Sequence, residues 1–302
     1  MLNVLRNIIF TGAGPKRAGF RLSKIAIAAA SALMLAIPGA GAADVNLVFG
    51  TYAADKPTQT VSKLKPILDY LAVELTKVLQ EEVTIEMHVS SDYGDSIQDL
   101  AVGDVDFARF GPASYVTAKK LNRDVKILAM ETKKGKKVFH GVIAVREDSD
   151  IQDLGDLTGR SFAFGSELST IGRYLAQSHL LDAGQTAETI SRFSYLGRHD
   201  RVGAAVGNGT YDAGALKEGT LKKMLADNVP LRVIARFENV TKPWIARSGM
   251  RPDVLAAMQQ IFLEIKDPAV LKSLKTSGFL PGSDSDYDVI RSAMLKSRNF
   301  GG

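Results

Sequence analysis

The chain has 302 residues, 45% hydrophobic and 24% charged, which suits one large domain or two lobes with real cores and excludes the disordered and polytopic membrane classes. Cysteine is absent, so disulfides, cysteine zinc sites, iron-sulfur clusters, thiol nucleophiles and a lipidated N-terminal cysteine are excluded. The formal net charge is +5, but residues 1–42 hold Arg6, Lys16, Arg17, Arg21 and Lys24 with no acid, and without them 33 basic residues balance 33 acidic ones. The neutral remainder gives no reason to expect a nucleic-acid partner.

The N-terminal segment has a pattern of its own. Basic residues up to Lys24 precede an uncharged apolar run from Ile25 to Ile37, then Pro38 and small residues through Ala43. A basic start, a short apolar core and an A-x-A site predict a secretion signal over residues 1–42, cleaved near Ala42 or Ala43. The run is short for a spanning helix, which needs roughly 20 apolar residues. The mature protein is therefore expected to be exported.

From Asp44 onward strand and helix patterns alternate. Val45–Phe49 reads as a buried strand, and apolar residues from Val61 to Leu79 fall at helical spacing, with Pro66 near the first turns. Val83 to Val89 alternates as a half-exposed strand. A short helix through Ile97 and Leu100, a strand at Val105–Arg109 and a helix from Ala113 follow. Lys126–Met130 and Val138–Arg146 read as strands on either side of the basic stretch Lys133–Lys137, a solvated tip or a partner contact. After a helical turn at residues 150–159, strands at 161–164, 192–196, 212–216 and 231–237 alternate with helices at 169–181, 199–206 and 218–225. Beyond Trp244 the pattern is mainly helical, and Trp244 itself fits either a cleft rim or a hinge. Alternating units of this kind predict α/β layers with largely parallel sheets, in two series and so two lobes.

In such sheets ligands sit beyond the carboxyl ends of the strands, where helix N-termini offer free N–H groups. The loops there are rich in glycine and hydroxyls: Gly50-Thr51-Tyr52, Ser90 to Gly94, Gly111 to Tyr115, Gly165 to Thr170 and Gly197-Arg198-His199. Each Ser or Thr alone also reads as a helix cap. Together, facing one cleft, they form a donor-rich binding site. His88, His140 and His179 lie in no such loop and read as structural or exposed. No nucleophile-elbow, P-loop, zincin or complete dinucleotide-binding motif is present, so no enzyme, metal or cofactor is predicted.

The Asp92-Tyr93 loop, the run Val105 to Tyr115, the Ser169-Thr170 helix start and Gly197-Arg198-His199 resemble the phosphate/phosphite/phosphonate substrate-binding proteins of ABC transporters. The similarity runs over about residues 45 to 280. It implies a type II periplasmic binding protein with two α/β lobes, each a mixed, mostly parallel sheet flanked by helices, joined by a two-strand hinge. Lobe 1 is expected at 43–141 and 246–302, lobe 2 at 142–245. The resemblance places anion contacts on Tyr93, Ser169, Thr170 and His199, with Tyr52 a weaker match and Ser114 either a cleft residue or a cap. Family phosphonate binders often add acids for a ligand amine or a P–OH group. Glu218 lies near one such position, and Lys242 stands where the other acid falls, which argues against an aminophosphonate.

A tetrahedral oxyanion needs donors, and these residues supply them without a basic patch. A charged His199 would make affinity fall as pH rises through its titration. The expected partners are a small oxyanion and an inner-membrane permease, with the protein a monomer. The alternative role is a sensor subunit docking on a membrane receptor kinase.

Overall fold

In the computed structural model residues 44–301 are described, and the predicted secretion signal with its cleavage site lies outside them. Strand β1 (Val45–Tyr52) runs into helix α1 (Pro57–Leu79), followed by β2 (Val83–Ser90), α2 (Tyr93–Val102), β3 (Phe107–Arg109), α3 (Pro112–Leu121) and β4 (Lys126–Glu131). Helix α1 starts a turn earlier than its apolar spacing predicts. Pro57 takes the first turn, where a missing N–H is no loss and φ is already helical. Leu64, Ile67, Leu68, Leu71 and Leu75 form its buried stripe, and Pro66 is inside the helix. Asp92 caps α2 by accepting from the Asp95 N–H at 3.0 Å.

The second series holds β5 (Val138–Arg146), β6 (Ser161–Phe164), α4 (Ala176–Asp182), β7 (Arg192–Tyr195), α5 (His199–Gly207), β8 (Ala213–Lys217), α6 (Glu218–Ala226) and β9 (Leu231–Val240). Where one regular helix from Ser169 is predicted, a π-helical stretch over Thr170–Leu175 precedes α4. A close backbone approach accompanies the widened turn. The Gly165 N–H donates to the Gly172 carbonyl at 2.8 Å, and a Cβ on Gly172 would lie 2.8 Å from the Gly165 Cα. A side chain at Gly172 would not fit without moving this backbone.

The chain then returns through β10 (Pro243–Ala246), α7 (Pro252–Glu264), α8 (Pro268–Leu274), β11 (Phe279–Leu280) and α9 (Asp288–Lys296). Strands β10 and β11 fall within the stretch read as mainly helical. Four and two residues long, they are too short to show an alternating period.

The strand order is β11-β4-β10-β3-β1-β2 in one sheet and β7-β6-β8-β5-β9 in the other. Strand β1 pairs in parallel with β2 and β3, and β6 with β7 and β8. Strand β10 runs against both its neighbours, β3 and β4, and β5 runs against β8 and β9. These are the strands entered immediately after the chain crosses from sheet to sheet, at residues 132–137 and 241–242. We take the lobes to meet at these crossings. Residues 284–300 touch both sides: the Tyr115 hydroxyl donates to Asp284 at 2.7 Å, and Phe300 packs edge-on against Phe164 and Phe193.

Trp244 settles into the first lobe's core on β10, fully buried, stacked on Phe49 at 5.3 Å and tilted against Phe262 at 4.9 Å. Its indole N–H donates to Glu131 Oε1 at 3.2 Å. Arg109 closes the group with a two-pronged ion pair to Glu131, the second bond from Nη2 to Oε2 at 2.9 Å. Burial pushes the Glu131 carboxyl up, but the Arg109 guanidinium wins and holds it at about 2. The pair therefore adds stability above the ordinary glutamate value, lost as pH falls toward 2. Glu131→Gln leaves a buried guanidinium without its counter-charge and should destabilise the fold by about 3–5 kcal/mol, read by urea unfolding at pH 7. A loss below about 1 kcal/mol, the value of an exposed pair, would contradict this.

Candidate functional site

The carboxyl ends of the strands in both sheets face one another across a cleft of about 1030 Å³. At its inner end a smaller pocket lies where the lobes touch, lined by Tyr52, Tyr93, Ser169, Thr170, His199 and Lys217, with Asn239 and Lys242 at the crossing. The chain reaches this place by its local rules. β1 and β3 end at Tyr52 and Arg109, and α2, the π-helical stretch and α5 each begin here.

Tyr52 and Tyr93 stack with ring centroids 3.6 Å apart. The Tyr52 hydroxyl accepts from the Gly111 N–H at 2.6 Å and shares a hydrogen bond of 2.9 Å with Ser114 Oγ. The Tyr93 hydroxyl bonds to Ser169, and burial keeps this phenol well above the ordinary tyrosine range, a neutral donor. Ser169 Oγ caps its own turn by accepting from the Gly172 N–H at 2.9 Å. Thr170 Oγ1 reaches the other lobe and accepts from the Ala113 N–H at the start of α3, at 2.8 Å. The His199 backbone N–H also crosses, donating to the Ala54 carbonyl at 3.1 Å.

Six of the seven predicted residues therefore converge: Tyr52, Tyr93, Ser169, Thr170 and His199 line the pocket, and Ser114 is tied to it through Tyr52. Glu218 does not line it. It stands on the wall of the larger cleft, held by Arg236 at 2.6 Å and Lys222 at 3.2 Å, with His140 Nδ1 at 3.9 Å. His140, expected to be merely structural or exposed, is thus a cleft residue. His179 stacks on Phe237 and His88 pairs with Asp99, away from the cleft.

The electrostatics depart further from the sequence reading. Eleven Lys or Arg residues line the larger cleft against four Asp or Glu, so the neutral chain has a basic cleft. Lys217 forms an ion pair across the lobes with Asp55, whose other oxygen accepts from Thr220 at 2.9 Å. Burial raises the Asp55 carboxyl, but Lys217 and its bonds hold it below the usual carboxylate range. The His199 imidazole is pushed down to about 3, first by burial and then by Lys217, with Asp55 and the Ala215 carbonyl opposing. It is neutral at physiological pH, so the pH dependence that a charged donor would give does not apply.

Sequence reasoning missed Asp55, Lys63, Lys217 and Asn239. These come from four separate elements, and nothing local marks them. Asn239 Nδ2 and Oδ1, His199 Nδ1 and Thr241 Oγ1 are buried without a partner, which is costly unless something in the pocket meets them. Neutral phenol, hydroxyl and amide groups, flanked by cations at a lobe junction, can bind and orient a small anion.

Comparison with known proteins identifies relatives and a family. A relative from Mycolicibacterium smegmatis, named phosphate-import protein PhnD, is 27% identical over 268 residues, 78% of this chain and 82% of its own length. A probable ABC transporter phosphite-binding protein, PhnD1 of Prochlorococcus marinus, is 29% identical over 178 residues, 57% of this chain and 59% of its own. The PhnD1 structure solved with methylphosphonate has the same fold, with a TM-score of 0.72 at 22% identity over 85% of this chain and 98% of that one. Residues 49–287 match the family described as ABC transporter, phosphonate, periplasmic substrate-binding protein, and the chain belongs to that family.

Proposed function

We propose that the protein captures a small phosphorus oxyanion between its lobes in the periplasm and hands it, chemically unchanged, to an ABC permease in the inner membrane. The observation that carries this is the convergence of Tyr93, Ser169, Thr170, His199 and Asn239 where the two lobes touch. Family membership and the phosphate, phosphite and methylphosphonate named for the relatives support the ligand class. Among the described residues no helix is long and apolar enough to cross a membrane. The receptor-kinase alternative has no observation in its favour.

The mechanism follows from the bonds. Tyr93 donates its hydroxyl hydrogen, Ser169 and Thr170 present hydroxyls at a helix start, and Asn239 turns an unpaired amide to the anion. Thr170 to Ala113, His199 to Ala54 and Lys217 to Asp55 are bonds between lobes, so they form only when the cleft closes. Closure excludes water, strengthens each donor and creates the surface a permease can distinguish from the open form.

Calorimetry should detect binding of phosphite, phosphate or methylphosphonate with sulfate discriminated against, and the phosphorus NMR spectrum of the ligand should be unchanged afterwards. No binding of any of the three would overturn the proposal. Tyr93→Phe and Ser169→Ala should each weaken the bound oxyanion by about 1–3 kcal/mol with the fold retained. Equal affinity in both would remove them from the site. An NMR titration of the His199 ring in the closed, phosphite-bound protein should be flat from pH 5 to 8, since burial and Lys217 push the ring down to about 3. A midpoint between 6 and 7 would show a charged donor instead.

A further inference from the structure

The acids that line the cleft are nearly all committed. Asp55 is held by Lys217 and Thr220, Glu131 by Arg109 and Trp244, and Glu218 by Arg236 and Lys222. Glu238 is exposed to solvent. Lys63, on α1, and Lys242, at the second crossing, are half-buried and have no ion-pair partner among the described residues. Lys242 lines both the inner pocket and the larger cleft, with its ammonium 5.8 Å from the Phe139 ring centroid. Beside it Thr241 Oγ1, on a residue 1% exposed, lacks a partner.

From this arrangement we infer that the cargo carries a second anionic group, a carboxylate or another phosphoryl, which lies between Lys63 and Lys242 while its first phosphorus oxyanion occupies the inner pocket. The inference rests on the phosphorus-oxyanion reading and names the substrate class within it. Two uncompensated ammonium groups in one cleft repel each other and lose hydration, and a bound anion relieves both penalties. Both lysines are pushed well below the ordinary range, first by burial and next by Arg109, as expected where a counter-charge is wanted. The same groups reject an aminophosphonate, whose ammonium would face two cations where an acid is needed. A cleft of about 1030 Å³ also has room beyond a one-carbon phosphonate.

The test is calorimetric titration of phosphonoacetate, pyrophosphate, methylphosphonate and 2-aminoethylphosphonate into the parent protein and into Lys63→Ala, Lys242→Ala and Lys63→Arg, each first checked for a cooperative melt. Phosphonoacetate or pyrophosphate should bind at least about tenfold more tightly than methylphosphonate, and whichever leads identifies the distal group. That ratio should fall about fivefold or more in each alanine variant and recover in Lys63→Arg. Methylphosphonate or the aminophosphonate binding as tightly as the doubly anionic ligands would overturn the inference and leave the oxyanion reading standing. A preference unaffected by either alanine variant would overturn it too. Failure of all four ligands to bind would overturn the inference, and titration of phosphite and phosphate then decides the oxyanion reading separately.

Discussion

A polar group taken out of water must find a partner, and this protein leaves that demand unmet mainly at one place. Of five buried side-chain atoms without a partner among the described residues, four belong to His199, Asn239 and Thr241 at the junction of the lobes. The rest of the structure is arranged around holding them there. Asn239 is the next-to-last residue of β9 and Thr241 begins the second crossing, so two of the three residues with unpaired groups lie in or beside the segment that joins the lobes. A ligand that satisfies them therefore acts on the hinge itself, and binding is linked to lobe position through local bonds rather than a distant relay.

The crossings are anchored by packing. Each delivers the chain into the interior of a sheet, against two antiparallel neighbours, instead of to an edge. At the first lobe's end the Arg109, Glu131 and Trp244 group fixes β3, β4 and β10 together, so the cations at the cleft floor stand on a rigid base. Opening breaks the bonds made between lobes, among them Thr170 with Ala113, Tyr93 with Ser169, His199 with Ala54, and Asp55 with both Lys217 and Thr220.

Much of this was legible in the sequence. Alternating periods located β1 through β9 and most helices, and the glycine and hydroxyl loops after strands located the inner pocket, because both signals are local. What stayed hidden is long-range. Strands β10 and β11 are too short to show a period, and Pro243 at the start of β10 reads as a breaker. Lys63, Lys217 and Lys242 come from α1, β8 and the second crossing, each looking like an ordinary solvated charge until the fold brings them together. His199 sits at a helix start, where exposure is the usual expectation. Its burial beside Lys217, which removes its charge, is a tertiary fact. Lys242 was visible as a departure from the family pattern, and the structure gives that departure a place.

The account's central claim is that an oxyanion completes the unpaired groups at the lobe junction. A crystal structure of the protein with methylphosphonate tests it directly. The account predicts the phosphorus between Tyr93, Ser169 and His199, with the Asn239 amide hydrogen-bonded to a phosphonate oxygen. Phosphonate bound elsewhere in the cleft, with His199 Nδ1 and Asn239 still unpaired, would contradict it.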